Sequence, residues 1–273
     1  MMVNENQGIE VGKVKCFPVS AGTWWGDGGA AMGVLPKSLW QKFLETDEKN
    51  RIQFALNLLL IQTDDKNILI DTGIGNKITE KQKKIYNPSE FVLLKNLQKI
   101  GLNRYDINFV VLTHLHFDHA GGIVSIFNEK KELTFPNAIH IFQSKEWEIA
   151  KNPDDLNKPG YSFKEDLQLL EESGNYQLID GNYELSPEIK LELVAGHSEG
   201  SQMVRIESEG QIAYYAGDII CFESHLHPGI STSYDICRKD TSKVKKRILK
   251  ELRERKGILF LNHDVKKTFI RFN

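Results

Sequence analysis

Hydrophobic and polar positions alternate in short blocks of two kinds along the chain. Residues 12–19 and 52–62 read as strands, the second so rich in Leu and Ile that it reads as buried. Residues 67–71 form a shorter strand that runs into the turn Thr72-Gly73-Ile74-Gly75. Ser89 is placed to cap a helix over 90–100, with Gly101 as its stop. An apolar strand over 107–113 follows, then a loop and a short helix. Further on, 138–143 predicts a strand, and 144–151 and 163–173 predict helices. The strand pattern resumes at 189–194, and 203–207 with 211–216 flank Ser208-Glu209-Gly210 as a hairpin. An amphipathic helix begins at Asp240 and stops at Gly257, ahead of a last strand over 258–261. Strands interrupted by helices over the whole length, without repeat or linker, predict a layered α/β protein with one core, read as a single domain over 1–273.

Composition changes this picture little. The 273 residues are 40% hydrophobic and 26% charged, which fits a globular chain able to bury a sizeable core. The 35 basic and 37 acidic residues leave no basic excess, so neither nucleic acid nor an anionic membrane is expected as a partner. No apolar run is long enough to span a bilayer, and residues 1–15 lack the apolar stretch of a signal peptide. Cys16, Cys221 and Cys237 form no C-x-x-C pair, so a reducing cytoplasm is the expected location.

Chemistry concentrates in Thr113-His114-Leu115-His116-Phe117-Asp118-His119-Ala120-Gly121-Gly122. His114 and His116 are two apart, so in extended chain they share a face and can grip one ion. Asp118 and His119 follow as the chain turns and could reach a second. Imidazole and carboxylate are ligands that Zn, Mn, Fe and Co all accept.

This His-x-His-x-Asp-His segment resembles the signature of the metallo-β-lactamase superfamily, and further landmarks of that family stand in order. Asp71-Thr72-Gly73 resembles its early Asp motif. Gly196-His197-Ser198-x-Gly200, Tyr215-Ala216-Gly217-Asp218 and Asn262-His263-Asp264 resemble the segments that supply its later ligands. The resemblance spans roughly residues 13–265 and implies a four-layer αβ/βα sandwich, two mixed sheets face to face with helices outside. Carried over by position, it implies that His114, His116 and His197 hold one divalent metal ion, Asp118, His119 and His263 a second, and Asp218 both. Asp71 would support the loop from behind. Such a centre makes hydroxide from water at neutral pH to attack an ester-like bond, with Asp118 or Asp218 moving the proton. Zinc is the first expectation for both ions, with Mn, Fe or Co as alternatives. Asp-His in place of Asp-Arg, and no cysteine at Asp218, count against a zinc β-lactamase.

The segment from Asp27 to Lys37 with Trp40, followed by residues 47–51, is similar to the N-terminal region of the quorum-quenching lactonase branch, which also contains organophosphorus hydrolases. The likeness implies a small-molecule lactone substrate, residues 20–50 as a loop segment near the site, and a homodimer. Trp24, Trp25, Met32, Phe222 and His225 are the expected pocket residues; His140 reads as core or surface rather than ligand, and His227 as loop. Some acyl-homoserine lactonases carry Tyr three residues beyond the shared Asp, where Cys221 stands here. Thioester hydrolysis of the glyoxalase II type and hydrolysis of phosphotriesters or aryl esters are the alternatives. A catalytically silent scaffold would be expected to have lost ligands, and all seven are present.

Overall fold

The structure, a computed structural model, describes residues 8–273; positions 1–7 of the N-terminal stretch read above lie outside the described residues. The first part of the chain forms β1 (Ile9–Val11), β2 (Val14–Asp27), β3 (Arg51–Gln62), β4 (Asn67–Ile70) and β5 (Phe109–Val111). A hairpin of β6 (Val124–Phe127) and β7 (Lys130–Leu133) follows, then β8 (Ile139–Gln143) and β9 (Tyr176–Ile179). The second part forms β10 (Tyr183–Ser186), β11 (Ile189–Leu193), β12 (Gln202–Ser208), β13 (Gln211–Tyr215), β14 (Ile258–Phe260) and β15 (Phe269–Arg271). The helices are α1 (Gly28–Met32), α2 (Lys37–Trp40), α3 (Glu80–Tyr86), α4 (Leu93–Lys99), α5 (Phe117–Ala120), α6 (Ser144–Lys151), α7 (Gln168–Ser173) and α8 (Arg238–Glu254).

Two mixed sheets result, one ordered β1-β2-β3-β4-β5-β8-β9 and the other β10 to β15 in sequence. Strand alternation sends one set of side chains from each sheet into the space between them. There Leu59, Ile61, Ile70, Val111 and Ile141 meet Leu191, Val204, Ile206, Tyr215 and Phe260. The opposite set on the first sheet packs under α4, α6 and α7 through Leu93, Leu97, Trp147 and Leu170. On the second sheet, Met203, Ile212, Tyr214 and Leu259 pack under Ile248, Leu249 and Leu252 of α8. Helices, sheet, sheet and helix therefore make the four layers expected. Each fully buried Leu or Ile contributes about 1.5–3 kcal/mol, so continuous apolar strands such as β3 are what bind the layers.

Two seams join the sheets at one end. Beyond its pairing with β4, β3 bonds the loop after β14: Ala55 N donates to His263 O at 2.9 Å and Asn57 N to Asn262 O at 2.8 Å. The buried Asn57 amide adds bonds to Leu261 O and Asp264 O, which explains a polar residue in that apolar run. Nearby, Gln202 N donates to Thr113 O at 2.8 Å, tying β12 to the end of β5.

Several expectations need correction. Residues 20–50 are not a loop throughout: β2 runs to Asp27, whose side chain caps α1 through Ala30 N. Ser89 does not cap a helix; its hydroxyl accepts from Thr23 N and donates to Glu90 O, and α4 begins only at Leu93. The helix expected over 163–173 opens with a π-turn, Phe163–Leu167.

Candidate metal centre

The seven residues singled out in the sequence converge at the seamed end of the sandwich. The end of β5 delivers His114 and His116, and one turn of α5 carries Asp118 and His119. Loops after β11, β13 and β14 bring His197, Asp218 and His263. His114, His116 and His197 form one group of ligand atoms, all within 4.8 Å of one another, and Asp118, His119 and His263 form a second. His116 Nδ1 lies 3.0 Å from His114 Nε2 and 3.1 Å from His197 Nε2. Asp218 stands between the groups. Its Oδ1 is 3.1 Å from His119 Nε2 and 3.2 Å from His263 Nε2, and its Oδ2 is 3.4 Å from His197 Nε2.

Partners behind the rings set the tautomers. His119 Nδ1–H donates to Asp71 Oδ2 at 2.8 Å, His197 Nδ1–H to Asp235 Oδ1 at 3.0 Å, and His263 Nδ1–H to Ala55 O at 2.8 Å. Each such bond turns Nε2 toward the site, where it offers a lone pair whenever the ring is neutral. The Nε2 atoms of His119 and His263 are buried and find no hydrogen-bond partner among the described residues. Orphaned lone pairs packed beside carboxylates suit cations, so the residues fit two metal ions.

The electrostatics divide the rings. Burial, then the neighbouring His119, His116 and His197, pushes His114 well below the ordinary imidazole range, and burial and His197 do the same to His116. Burial opposes charge on His119 too, but Asp218, Asp71 and Asp118 overcome it and raise that ring well above the usual value. Asp218 is held well below the carboxylate range because His119, His263 and His197 outweigh its burial.

Asp71 lies behind His119. It closes β4 with φ +62°, and its carboxylate accepts from Thr113 N, Thr113 Oγ1 and Tyr215 OH as well as His119. Three other polar residues around the site were given no role by the sequence pattern. Asp235 orients His197, and Asn262 Nδ2 donates to Asp218 Oδ1 at 2.6 Å. Glu146, fully buried at the start of α6, accepts from Leu115 N at 3.0 Å, Tyr161 OH at 2.9 Å and Ser198 Oγ. It thereby ties the His114–His116 turn to the His197 loop. The carboxylates next to aromatic residues, in Tyr234-Asp235 and Glu146-Trp147, were visible, but nothing in their spacing says which loop they meet.

The expected pocket residues divide. Trp24 stacks on Phe54, with centroids 4.4 Å apart, and sets its edge against Tyr86, Phe117 and His263. Strand alternation turns Trp25 to the other face of β2, under the Arg51 guanidinium, so it forms no wall with Trp24. Met32 and His225 are buried in the core, His225 Nε2–H donating to Ala31 O at 3.1 Å, whereas Phe222, also largely covered, lines a cavity with Phe43, Leu44, Gln53 and Asp264. Tyr86 and Phe117, unmentioned by the sequence pattern, stack at 5.1 Å and complete an aromatic cluster beside Asp118. His140 lies in the core, with Nδ1–H donating to Asn175 O.

A two-sheet sandwich carrying paired His/Asp clusters at one end is the architecture of a metallohydrolase. The metallo-beta-lactamase superfamily model matches residues 53–263, and the chain belongs to that superfamily. An N-acyl homoserine lactonase of Bacillus cereus is 26% identical over 238 residues, covering 80% of this chain and 84% of that protein. A solved structure from Staphylococcus aureus, described as a probable metal-dependent hydrolase, is 31% identical with TM-score 0.90, covering 96% and 94% of the two chains. AidC, a dizinc quorum-quenching lactonase solved with a hexanoyl-homoserine product, is 25% identical with TM-score 0.73, covering 97% and 94%. Among the described residues, no helix is long and apolar enough to cross a membrane.

Proposed function

We propose that this chain opens lactone rings, with an N-acyl homoserine lactone as the substrate class, at a centre of two divalent metal ions, zinc before Mn, Fe or Co. His114, His116 and His197 would hold one ion, and Asp118, His119 and His263 the other. Asp218 carries this reading: a single carboxylate faces both groups, Oδ1 toward His119 and His263 and Oδ2 toward His197. Bound divalent cations supply Lewis acidity, making water acidic enough to attack near neutral pH and stabilising charge on an ester oxygen.

The proton is the task of the chain. Both oxygens of Asp218 are engaged, with Asn262 donating to Oδ1, which makes it a holder. Asp118 has looser neighbours, His263 Nε2 at 3.5 Å and His119 Nε2 at 3.8 Å. Its carboxylate is placed to accept a proton from the attacking water and return it to the departing alkoxide oxygen. Trp24, Tyr86 and Phe117 gather on the Asp118 side and offer an apolar approach for an acyl chain. The relatives named for acyl-homoserine lactones support this substrate class.

The test is ring opening of N-hexanoyl homoserine lactone by the zinc-loaded protein, followed as proton release. A kcat/KM above ~10⁴ M⁻¹s⁻¹ is expected, falling ~10²–10⁴-fold in Asp118→Asn. A dizinc protein inert toward lactones would refute the substrate. Turnover of a thioester or an aryl phosphotriester instead would then identify the bond that the centre cleaves.

A further inference from the structure

Helix α8 carries a lysine where an apolar residue belongs. Lys245 lies on the face that turns Thr241, Ile248, Leu249 and Leu252 into the core, and none of its surface is exposed. Its ammonium donates to Ile230 O at 2.6 Å, its one hydrogen bond among the described residues. An ammonium taken out of water is expensive unless another charge answers it. Burial pulls Lys245 down to about 8, with the Cys221 thiol and the Asp235 carboxylate opposing that fall.

Asp235 is the carboxylate whose charge opposes that fall, from beyond ion-pair distance. Its side chain is fully buried; Oδ1 accepts from His197 Nδ1–H at 3.0 Å and from Thr232 Oγ1 at 2.8 Å. Its Oδ2 accepts nothing among the described residues. His225 adds a second unmet acceptor: Nε2–H is spent on Ala31 O, and Nδ1 has no donor. The Lys245 charge acts on this ring as well, helping burial to hold it well below the ordinary imidazole value. Two buried acceptors therefore lack donors among the described residues, while a buried ammonium makes a single hydrogen bond.

We infer that Lys245 is a positioning residue for the metal centre: its ammonium compensates Asp235 and anchors the 230–235 segment, through which Asp235 keeps His197 Nε2 turned toward His116. The inference rests on the reading of His114, His116 and His197 as a metal-binding group. It makes a forecast that a lysine merely filling space in α8 does not. Removing one member of a buried charge pair strands the other, whereas removing both does not. The effects of Lys245 and Asp235 are therefore coupled rather than additive.

The experiment compares wild type, Lys245→Met, Asp235→Asn and the double variant, with zinc affinity measured by chelator competition and folding by thermal unfolding. Each single variant is expected to weaken one of two zinc equivalents by about 10–100-fold, the range for loss of a group that orients a metal-binding histidine. The double variant is expected to be no weaker than Asp235→Asn. If Lys245→Met alone does not fold, recovery of folded protein in the double variant is the supporting result. Unchanged zinc affinity in Lys245→Met, losses that add, or a double variant that stays unfolded while Asp235→Asn folds would each overturn the inference. A wild-type protein that takes up no zinc would overturn the metal-centre reading and this inference together.

Discussion

Removing the Glu146 carboxylate should strand three buried donors at once. Its three donors, Leu115 N, Tyr161 OH and Ser198 Oγ, come from three different segments, and the carboxylate that receives them has no exposed surface. Leaving one buried donor without an acceptor costs about 1–3 kcal/mol. Glu146→Ala therefore has a ceiling of about 9 kcal/mol if all three donors are stranded. The floor is about 1 kcal/mol, since the Ser198 and Tyr161 hydroxyls can turn and the Leu115 backbone N–H cannot. Glu146→Gln keeps an acceptor oxygen for Leu115 but turns an amide N–H₂ toward one of the other donors, so about 1–3 kcal/mol is expected. A chain of this size loses about 2–4 °C per kcal/mol. The assay is thermal unfolding of the metal-free proteins, alongside zinc uptake, because Leu115 lies between His114 and His116. A Glu146→Ala protein that melts within about 2 °C of wild type would refute the reasoning.

Three further outcomes follow from the same geometry. A Cβ at Gly160 would lie 2.6 Å from His116 Cδ2 and 2.9 Å from Nε2, so Gly160→Ala should drop zinc content from two equivalents towards one, read by elemental analysis. Asp71→Asn should weaken zinc binding about 10–100-fold, because the amide cannot accept from Thr113 N, Thr113 Oγ1 and His119 Nδ1–H together; unchanged affinity in a chelator competition would count against it. Burial lowers His140 from 6.5 to about 4, so between those values the unfolded chain takes a proton that the native one refuses. Stability of the metal-free protein should fall as pH drops through that window, by about 3 kcal/mol in all, and denaturant titrations should show a flatter acid slope for His140→Asn.

What the sequence revealed of this molecule depended on whether neighbours in the chain are neighbours in space. His114, His116, Asp118 and His119 lie within six residues, and the later residues sit in short signatures at strand ends, so their convergence could be anticipated. Asp235 and Glu146 act across separations of 38 and 31 residues, on His197 and Leu115, and no local pattern encodes those distances. Trp24-Trp25 misled for a related reason. An apolar pair reads as one surface, but β2 splits it between two faces, and a strand there is recognised only through its pairing with β3. Ser89 had the right chemistry for a cap, yet the nearer backbone was that of β2 at Thr23.

The seam at β3 gives the site a mechanical meaning. His114, His116, Asp118 and His119 belong to the first sheet, whereas His197, Asp218 and His263 hang from the second, and His263 is itself laced to Ala55 of β3. Any cation held by both sets would act as a rivet through the two leaves of the sandwich. The sheets could then not slide or hinge apart without first releasing it. Amide exchange in β3 and β12, on either side of the seam, should accordingly slow in step as the ions load, and a chelator would loosen the whole sandwich from that end rather than strip a surface loop.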